Sequence, residues 1–194
     1  MALSKRAALR ILETEHHAIS ELIGRLGPDE FTRPATIGDA DWSARDLLSH
    51  LTSWDQHALD ALDAWGRGQP APVQRPLRAK GLNALNAETL AADRHRSPSS
   101  VRERYDEVHG WLVSEIRAVS AAAWRSPPTA RARRPLGDVL GGILSGPDGL
   151  FAHASAHLSD LRAFVKSVGT LHLAAVKDPG PAVRRGPETP DLGG

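Results

Sequence analysis

Residues 41–54 carry the pattern that decides the fold, and they read DWSARDLLSHLTSW. Ser43 and Asp46 have the S-x-x-D form of a capping box, which marks the first turn of a helix. Apolar side chains follow at helical spacing until two glycines, at 66 and 68, end the run. The stretch therefore predicts an amphipathic helix over residues 43–66, with His50 beside its apolar stripe.

Three other stretches show the same helical periodicity, each with a start or stop signal. The predicted helices span residues 4–26, 43–66, 99–120 and 148–168, and a short extra helix lies within 82–95. Alternation with period two is nowhere sustained over the length of a strand, so we predict no β-sheet. Because each helix alone would expose its apolar stripe, the pattern predicts an all-α four-helix bundle with long connections. The expected core contains Leu12, Leu51, Leu112 and Leu161.

The bundle is expected to occupy residues 1–170, followed by a tail over residues 171–194. Residues 178–194 contain four prolines, four glycines and few apolar side chains. Such a segment cannot bury enough apolar surface to offset the entropy lost on ordering, so we expect the tail to be disordered.

The composition restricts the chemistry that the chain can perform. Its 194 residues include 24 Lys and Arg, 23 Asp and Glu, nine His and no Cys, for a net charge of +1. The absence of cysteine excludes disulfides, thiolate metal sites and a protein thiol nucleophile. The near-neutral charge predicts no nucleic-acid partner and no binding to an anionic membrane surface. Because there is no apolar signal segment and no apolar run of membrane-spanning length, a cytoplasmic location is expected.

Two of the histidines, His153 and His157, lie four residues apart on the predicted fourth helix and therefore on one of its faces. His50 lies about 10 Å along its helix, and the other two lie about 8 and 14 Å along theirs. If the two helices run in the same direction, the three rings lie at one level. Three protein ligands with one open position are typical of catalytic zinc sites. We therefore predict that these residues bind one divalent metal, preferably zinc; the alternative is ordinary polar residues on helix faces.

Further polar residues are candidates for a pocket or for support of the metal: His16, His57, His109 and Asp160. His16 and His109 could line a polar pocket beneath the metal, or each could be a core-edge histidine with one hydrogen-bond partner. Asp160 could orient a ligand imidazole, or be an ordinary surface acid. The basic run over residues 131–134 could hold an anionic substrate near the mouth of the bundle, or be a solvated loop. The sequence does not identify a general base.

Residues 42–54 resemble the W-S-x-x-D-x-x-x-H-L-x-x-W signature of the DinB-like (DinB/YfiT) metal-binding superfamily. Asn83, Asn86 and residues 94–100 are similar to the middle of its ClbS/DfsB branch, and residues 151–158 are similar to its fourth-helix H-x-x-x-H motif. A mycothiol-dependent maleylpyruvate isomerase-like branch is the other subgroup that the chain resembles. The resemblance covers roughly residues 5–168 in order and spacing.

The resemblance implies a four-helix bundle in which His50, His153 and His157 bind a divalent metal, usually zinc or nickel. Relatives include thiol-dependent isomerases and S-transferases that use mycothiol, bacillithiol or glutathione, and a branch that hydrolyses a reactive cyclopropane genotoxin. The chain departs from the family pattern at Ala154, where an aromatic residue is usual in or before the motif. The small side chain widens the mouth of the expected site.

The favoured function is a divalent-metal-dependent enzyme that acts on a small electrophilic molecule. It would use a metal-activated, mycothiol-like thiol for transfer or isomerisation, with that thiol as cosubstrate, or a metal-bound hydroxide for hydrolysis. The alternative is a non-catalytic, metal-containing module for binding, stress or toxin protection, and a plain interaction bundle without metal is a third hypothesis. The expected partners are a small-molecule substrate and, as an open alternative, a second copy of the chain, with no nucleic acid and no membrane.

Overall fold

The computed structural model describes residues 3–38, 41–128 and 134–177, with side chains as far as residue 170. Within these ranges the regular secondary structure is helical, and the only β-pairing is two isolated bridges. The predicted all-α class is therefore confirmed. The helices in chain order are α1 (Lys5–Ile23), α2 (Pro28–Thr32), α3 (Ala44–Gly66), α4 (Gln74–Lys80), α5 (Leu82–Asp93), α6 (Pro98–Ala118), α7 (Ala121–Arg125), α8 (Leu136–Ile143) and α9 (Ser155–Lys177).

Four of these helices, α1, α3, α6 and α9, are long and form the bundle. The capping box predicted for α3 is present: the Ser43 hydroxyl accepts from the Asp46 backbone amide, and the Asp46 carboxylate accepts from the Ser43 backbone amide. Helix α3 packs against α5, α6 and α8, and α1 packs against α6 and α9. None of the helices within the described ranges combines the length and the apolar character needed to cross a bilayer.

The apolar interior consists of two clusters rather than one. The first contains Leu12, Trp54 and Leu112, and the second contains Leu51 and Leu161. All four leucines predicted for the core are buried, but they are divided between the two clusters.

Polar residues stand between the clusters on three helices, and we call Glu15, His16, Asp55 and His109 the polar layer. On α1 the layer lies between Leu12 and Ile19, which belong to different clusters. Asp55 on α3 and His109 on α6 are buried where each helix passes from the second cluster to the first. The polar layer therefore crosses the bundle at one level.

Short helices occupy segments that the sequence predicted as loops, namely α2, α4, α7 and α8. Helix α8 was missed because three of its eight residues are glycine, which has low helix propensity. Its glycines make close packing possible: a Cβ at Gly137 would stand 2.6 Å from the indole of Trp124, and one at Gly141 would stand 2.9 Å from the ring of Phe151. Tertiary packing thus overrides the local signal, and α8 buries Leu136 and Leu140.

The last helix differs from its prediction at both ends. It begins at Ser155 rather than 148, because the preceding turn contains Gly149 at φ +122° and Phe151 at φ +66°. Phe151 accepts this left-handed conformation while its buried ring stacks on Trp124 at 5.7 Å. The helix continues beyond Gly169 to Lys177, a stretch rich in good helix formers. Most of the predicted tail, residues 178–194, lies outside the described residues.

Candidate metal centre

Three imidazole rings converge between α3 and the start of α9. The Nε2 atoms of His50 and His153 are 3.1 Å apart, and one ring nitrogen from each of His50, His153 and His157 lies within 4.8 Å of the others. We call these residues the histidine triad. Among the described residues, no other group of three or more histidine, aspartate or glutamate side chains has an arrangement that could hold a metal ion.

Local structure explains how each ring reaches the site. His50 lies on α3, and the ring of Trp42, just before the cap of that helix, packs 4.8 Å from the His50 ring and 6.1 Å from the His157 ring. His157 lies in the first turn of α9, but His153 lies in the turn before it. The prediction that the two share one helix was wrong, because the irregular turn replaces the first helical turns. In this turn the backbone hydrogen bonds join residues three apart instead of four: the Ala156 amide donates to the His153 carbonyl at 3.3 Å.

The triad fits a divalent ion in spacing and in protonation. Ligand nitrogens on a tetrahedral zinc lie roughly 3.3 Å apart, given Zn–N distances of 2.0–2.1 Å. The His50–His153 separation of 3.1 Å is close to this value, and the other separations in the triad do not exceed 4.8 Å. Burial, followed by repulsion from the neighbouring histidines, lowers the pKa of His50 to about 2 and that of His153 to about 4. Burial also lowers the pKa of His157, partly opposed by the charge of Asp160. All three rings are therefore neutral at pH 7, the form that binds metals.

The triad lies at the wall of an open cavity of about 540 Å³, which we call the mouth cavity. Trp42 and Trp54 line it, and the Trp54 indole donates to the Asn86 side-chain oxygen at 3.3 Å. Its aliphatic lining consists of Val73, Leu77, Leu82, Val139 and Ile143. A cavity of this volume accommodates a small organic molecule.

A smaller cavity, of about 30 Å³, lies on the other side of His153, against the polar layer. The Asp55 carboxylate accepts a hydrogen bond from His109 Nδ1 at 2.8 Å, and both residues are buried. The His16 ring stacks between His109, at 4.1 Å, and Tyr105, at 4.7 Å. Because the carboxylate can only accept, the proton lies on Nδ1 of His109, and its buried Nε2 has no partner among the described residues. The small cavity is large enough to hold a water molecule that could form a hydrogen bond with His109 Nε2.

Glu15 and Asp55 are site residues that the sequence analysis missed. The Glu15 carboxylate on α1 accepts from the backbone amide of Ala154 at 3.0 Å and so fixes the turn next to His153. Burial raises the pKa of Glu15 to about 7. The available signal was an acid on the core-facing side of α1, between Leu12 and Ile19, where an unpartnered charge is costly.

Two residues named as supporting candidates lie farther from the triad. The His57 ring packs edge-on against Trp54 at 5.5 Å, and His57 lines neither of the two cavities. Asp160 lines a separate surface groove near Gly38, and within the described part of the chain no hydrogen bond joins it to a triad ring. Its influence on the triad is electrostatic, through the pKa of His157.

A family model described as the DinB superfamily matches residues 11–145. The chain belongs to the DinB superfamily. No curated protein matches it. Among solved structures, an uncharacterised protein from Escherichia coli UTI89 has a TM-score of 0.65 at 16% identity, covering 86% of this chain and 95% of that one. The colibactin self-resistance protein ClbS, in complex with dsDNA, has a TM-score of 0.58 at 14% identity, covering 88% and 96%. At these identities the likeness shows the fold.

The ClbS structure also corrects the predicted partners. The sequence analysis excluded nucleic acid because the net charge is only +1, yet a protein of this fold is in complex with double-stranded DNA. That exclusion was wrong. Net charge sums over the whole surface, whereas phosphate contacts depend on the local arrangement of cationic side chains.

Proposed function

We propose that this DinB-superfamily chain is a divalent-metal-dependent enzyme that acts on a small electrophilic molecule. The observation that supports it is the position of the histidine triad: three neutral imidazoles meet at the wall of the mouth cavity. Structural zinc sites are usually completed by a fourth protein ligand. Here a three-residue set facing a cavity leaves room for a reactant instead.

The roles of the protein groups follow from their positions. His50, His153 and His157 would hold the ion, and an ion so held lowers the pKa of a bound water or thiol, supplying a hydroxide or thiolate near neutral pH. The ring of Trp42 packs against the rings of His50 and His157 and would support their orientation. Glu15 keeps the turn that carries His153 in place.

The finer assignment rests on the composition and on the family resemblance. Zinc is the preferred metal, and nickel is the alternative. Because the chain contains no cysteine, a thiolate nucleophile must come from a low-molecular-weight cosubstrate such as mycothiol, as in the maleylpyruvate isomerase-like branch; water is the nucleophile of a hydrolytic reaction. The cytoplasmic location stays a prediction.

A protection role without turnover is a second candidate, favoured by the apolar lining of the mouth cavity and by the self-resistance role named for ClbS. In this case the cavity would bind a toxic molecule and release it unchanged. The dsDNA in the ClbS structure makes duplex DNA a ligand to test with this chain, and its binding should be measured at several salt concentrations.

Metal analysis of the purified chain, followed by zinc titration, tests the enzyme proposal at its first step. We expect one ion per chain, with affinity lost in His50→Ala and kept in His57→Ala, which changes a histidine of the same helix outside the triad. A screen of thiols and electrophiles with the loaded protein then tests turnover. Metal binding that survives His50→Ala would overturn the site, and binding of an electrophile without product would favour the protection role.

A further inference from the structure

The charge of the mouth cavity is one-sided. Of the described residues that line it, Arg134 is the one permanently charged side chain, and none is an aspartate or glutamate. Its other polar lining groups include the amides of Gln74 and Asn86 and the neutral triad rings. Among the described lining residues the positive charge of Arg134 therefore has no carboxylate counter-charge, and a bound divalent ion would add positive charge because neutral imidazoles leave the ion's charge uncompensated.

The helix α8 holds Arg134 at the cavity wall. Its Nη2 donates to the backbone carbonyl of Asp138. The guanidinium lies across Gly142, where a Cβ would stand 3.1 Å from Nη2. Arginine has five N–H donors, and no carboxylate of the described residues forms an ion pair with this one. Donors therefore remain for a ligand, in the fork geometry that matches a carboxylate.

The remaining wall is apolar and aromatic. Trp42 and Trp54 lie near the triad, and aliphatic side chains of α4 and α8, Leu77, Val139 and Ile143, line the cavity as well. Leu82 is half exposed at the edge of the cavity. Such walls favour a ligand with an apolar body.

We propose that the mouth cavity binds a small molecule with an apolar body and one carboxylate, and that Arg134 is the residue that pairs with the carboxylate. This inference rests on the proposed function, because it assigns the substrate class of the same cavity. It also gives a function to one residue of the basic run over 131–134; the other three residues lie outside the described part of the chain.

Binding of a matched pair of probes to the full chain tests this inference. We would titrate 4-phenylbutyrate and 4-phenylbutyramide, which differ in charge but hardly in shape, and follow the indole N–H signals by NMR. The Trp54 signal should shift, whereas that of Trp111, half exposed outside the cavity, should not. We expect the carboxylate to bind about tenfold more tightly than the amide, the lower end for a charge-assisted hydrogen bond because Arg134 is exposed.

Three variants separate the charge of Arg134 from its position. Arg134→Gln should abolish the preference for the carboxylate, and Arg125→Gln, an equal charge change on α7, should keep it. Gly142→Ala retains the charge but pushes the guanidinium by a few tenths of an ångström, so the preference should fall without vanishing. Alanine also favours the helix, so this variant should fold.

The titrations are made with a chelator and again with one equivalent of zinc, so that failure of this inference is distinguishable from failure of the metal site. Equal binding of the two probes, or no binding of either, would overturn the inference while leaving the metal titration of His50→Ala unaffected. A carboxylate preference that persists in Arg134→Gln in the presence of the chelator would assign the anion to another group and would also overturn it.

Discussion

Gly146→Ala should displace His153 without unfolding the bundle. A Cβ at Gly146 would stand 2.7 Å from the carbonyl carbon of Ala152, closer still to its oxygen, and 3.2 Å from the Cα of His153. Relaxed carbon–carbon contacts are 3.5–4.0 Å, so the backbone that carries His153 must move by roughly 1 Å. Overpacking of this kind costs about 1–3 kcal/mol. A displaced ligand should lower zinc affinity about 10–100-fold, the loss seen when support of a metal ligand is removed.

The assay is zinc titration against a competing chelator, with thermal unfolding of the metal-free protein measured in parallel. Gly110→Ala is the matched control, because Gly110 lies inside α6 and a Cβ there would meet nothing within 4 Å. The control should bind zinc normally and be as stable as the parent, or more so by about 1 kcal/mol. Parental zinc affinity in Gly146→Ala, in a folded protein, would show that the turn does not position the site.

Other predictions concern the polar layer, the pH dependence and the tail. Asp55→Asn should destabilise the protein by about 1–3 kcal/mol, because the buried His109 loses its carboxylate. Asp106→Asn changes an exposed carboxylate on α6 that lies 3.0 Å from Nε2 of His16, and it should change stability little because that pair is solvated; urea unfolding compares the two variants. The metal-free protein should lose stability as the pH falls below 6.5, by about 1.4 kcal/mol per unit from His50, because its lowered pKa keeps it neutral when folded but not when unfolded. Glu15 has the opposite effect on stability, because its pKa is raised: its contribution is complete below pH 4.5 and is lost as the pH rises through about 7. The thermal midpoint of Glu15→Gln, compared with that of the parent, should therefore be higher at pH 8 than at pH 4. Removal of residues 178–194 should leave the thermal midpoint unchanged, because the proline- and glycine-rich composition predicts little packing.

The parts of the fold that could be predicted are those with local causes. The start of α3 was predictable from Ser43 and Asp46, because the side chain of each accepts a hydrogen bond from the backbone amide of the other within one turn. The prediction that His50 meets His153 and His157 rested on counting residues from a helix start at 148, whereas α9 begins at Ser155 and His153 lies before it. The triad's role as a metal site stays a prediction.

The parts that could not be predicted depend on distant residues. Phe151 adopts a left-handed conformation in a turn, its ring packs against Trp124, and no local sequence pattern indicates this contact. The role of Glu15 depends on the backbone amide of Ala154, which donates to its carboxylate from a distant part of the chain. Helix α8 has a weak local signal and forms because its glycines allow close packing. In each case the conformation is stabilised by contacts between residues distant in sequence, and local sequence patterns do not reveal such contacts.

The polar layer has a consequence for how the bundle responds to mutation over time. Because the polar layer lies between the two apolar clusters, the buried residues that pack around Leu112 differ from those that pack around Leu161. Losses from Leu112→Ala and Leu161→Ala, each about 2–5 kcal/mol, should therefore add. Amide hydrogen exchange should likewise divide two of the long helices each into two stretches of different protection, which meet at Asp55 in α3 and at His109 in α6. A change of chemistry at this boundary should therefore cost the hydrogen bonds that it breaks, as at Asp55 and His109, while the packing of both clusters stays in place.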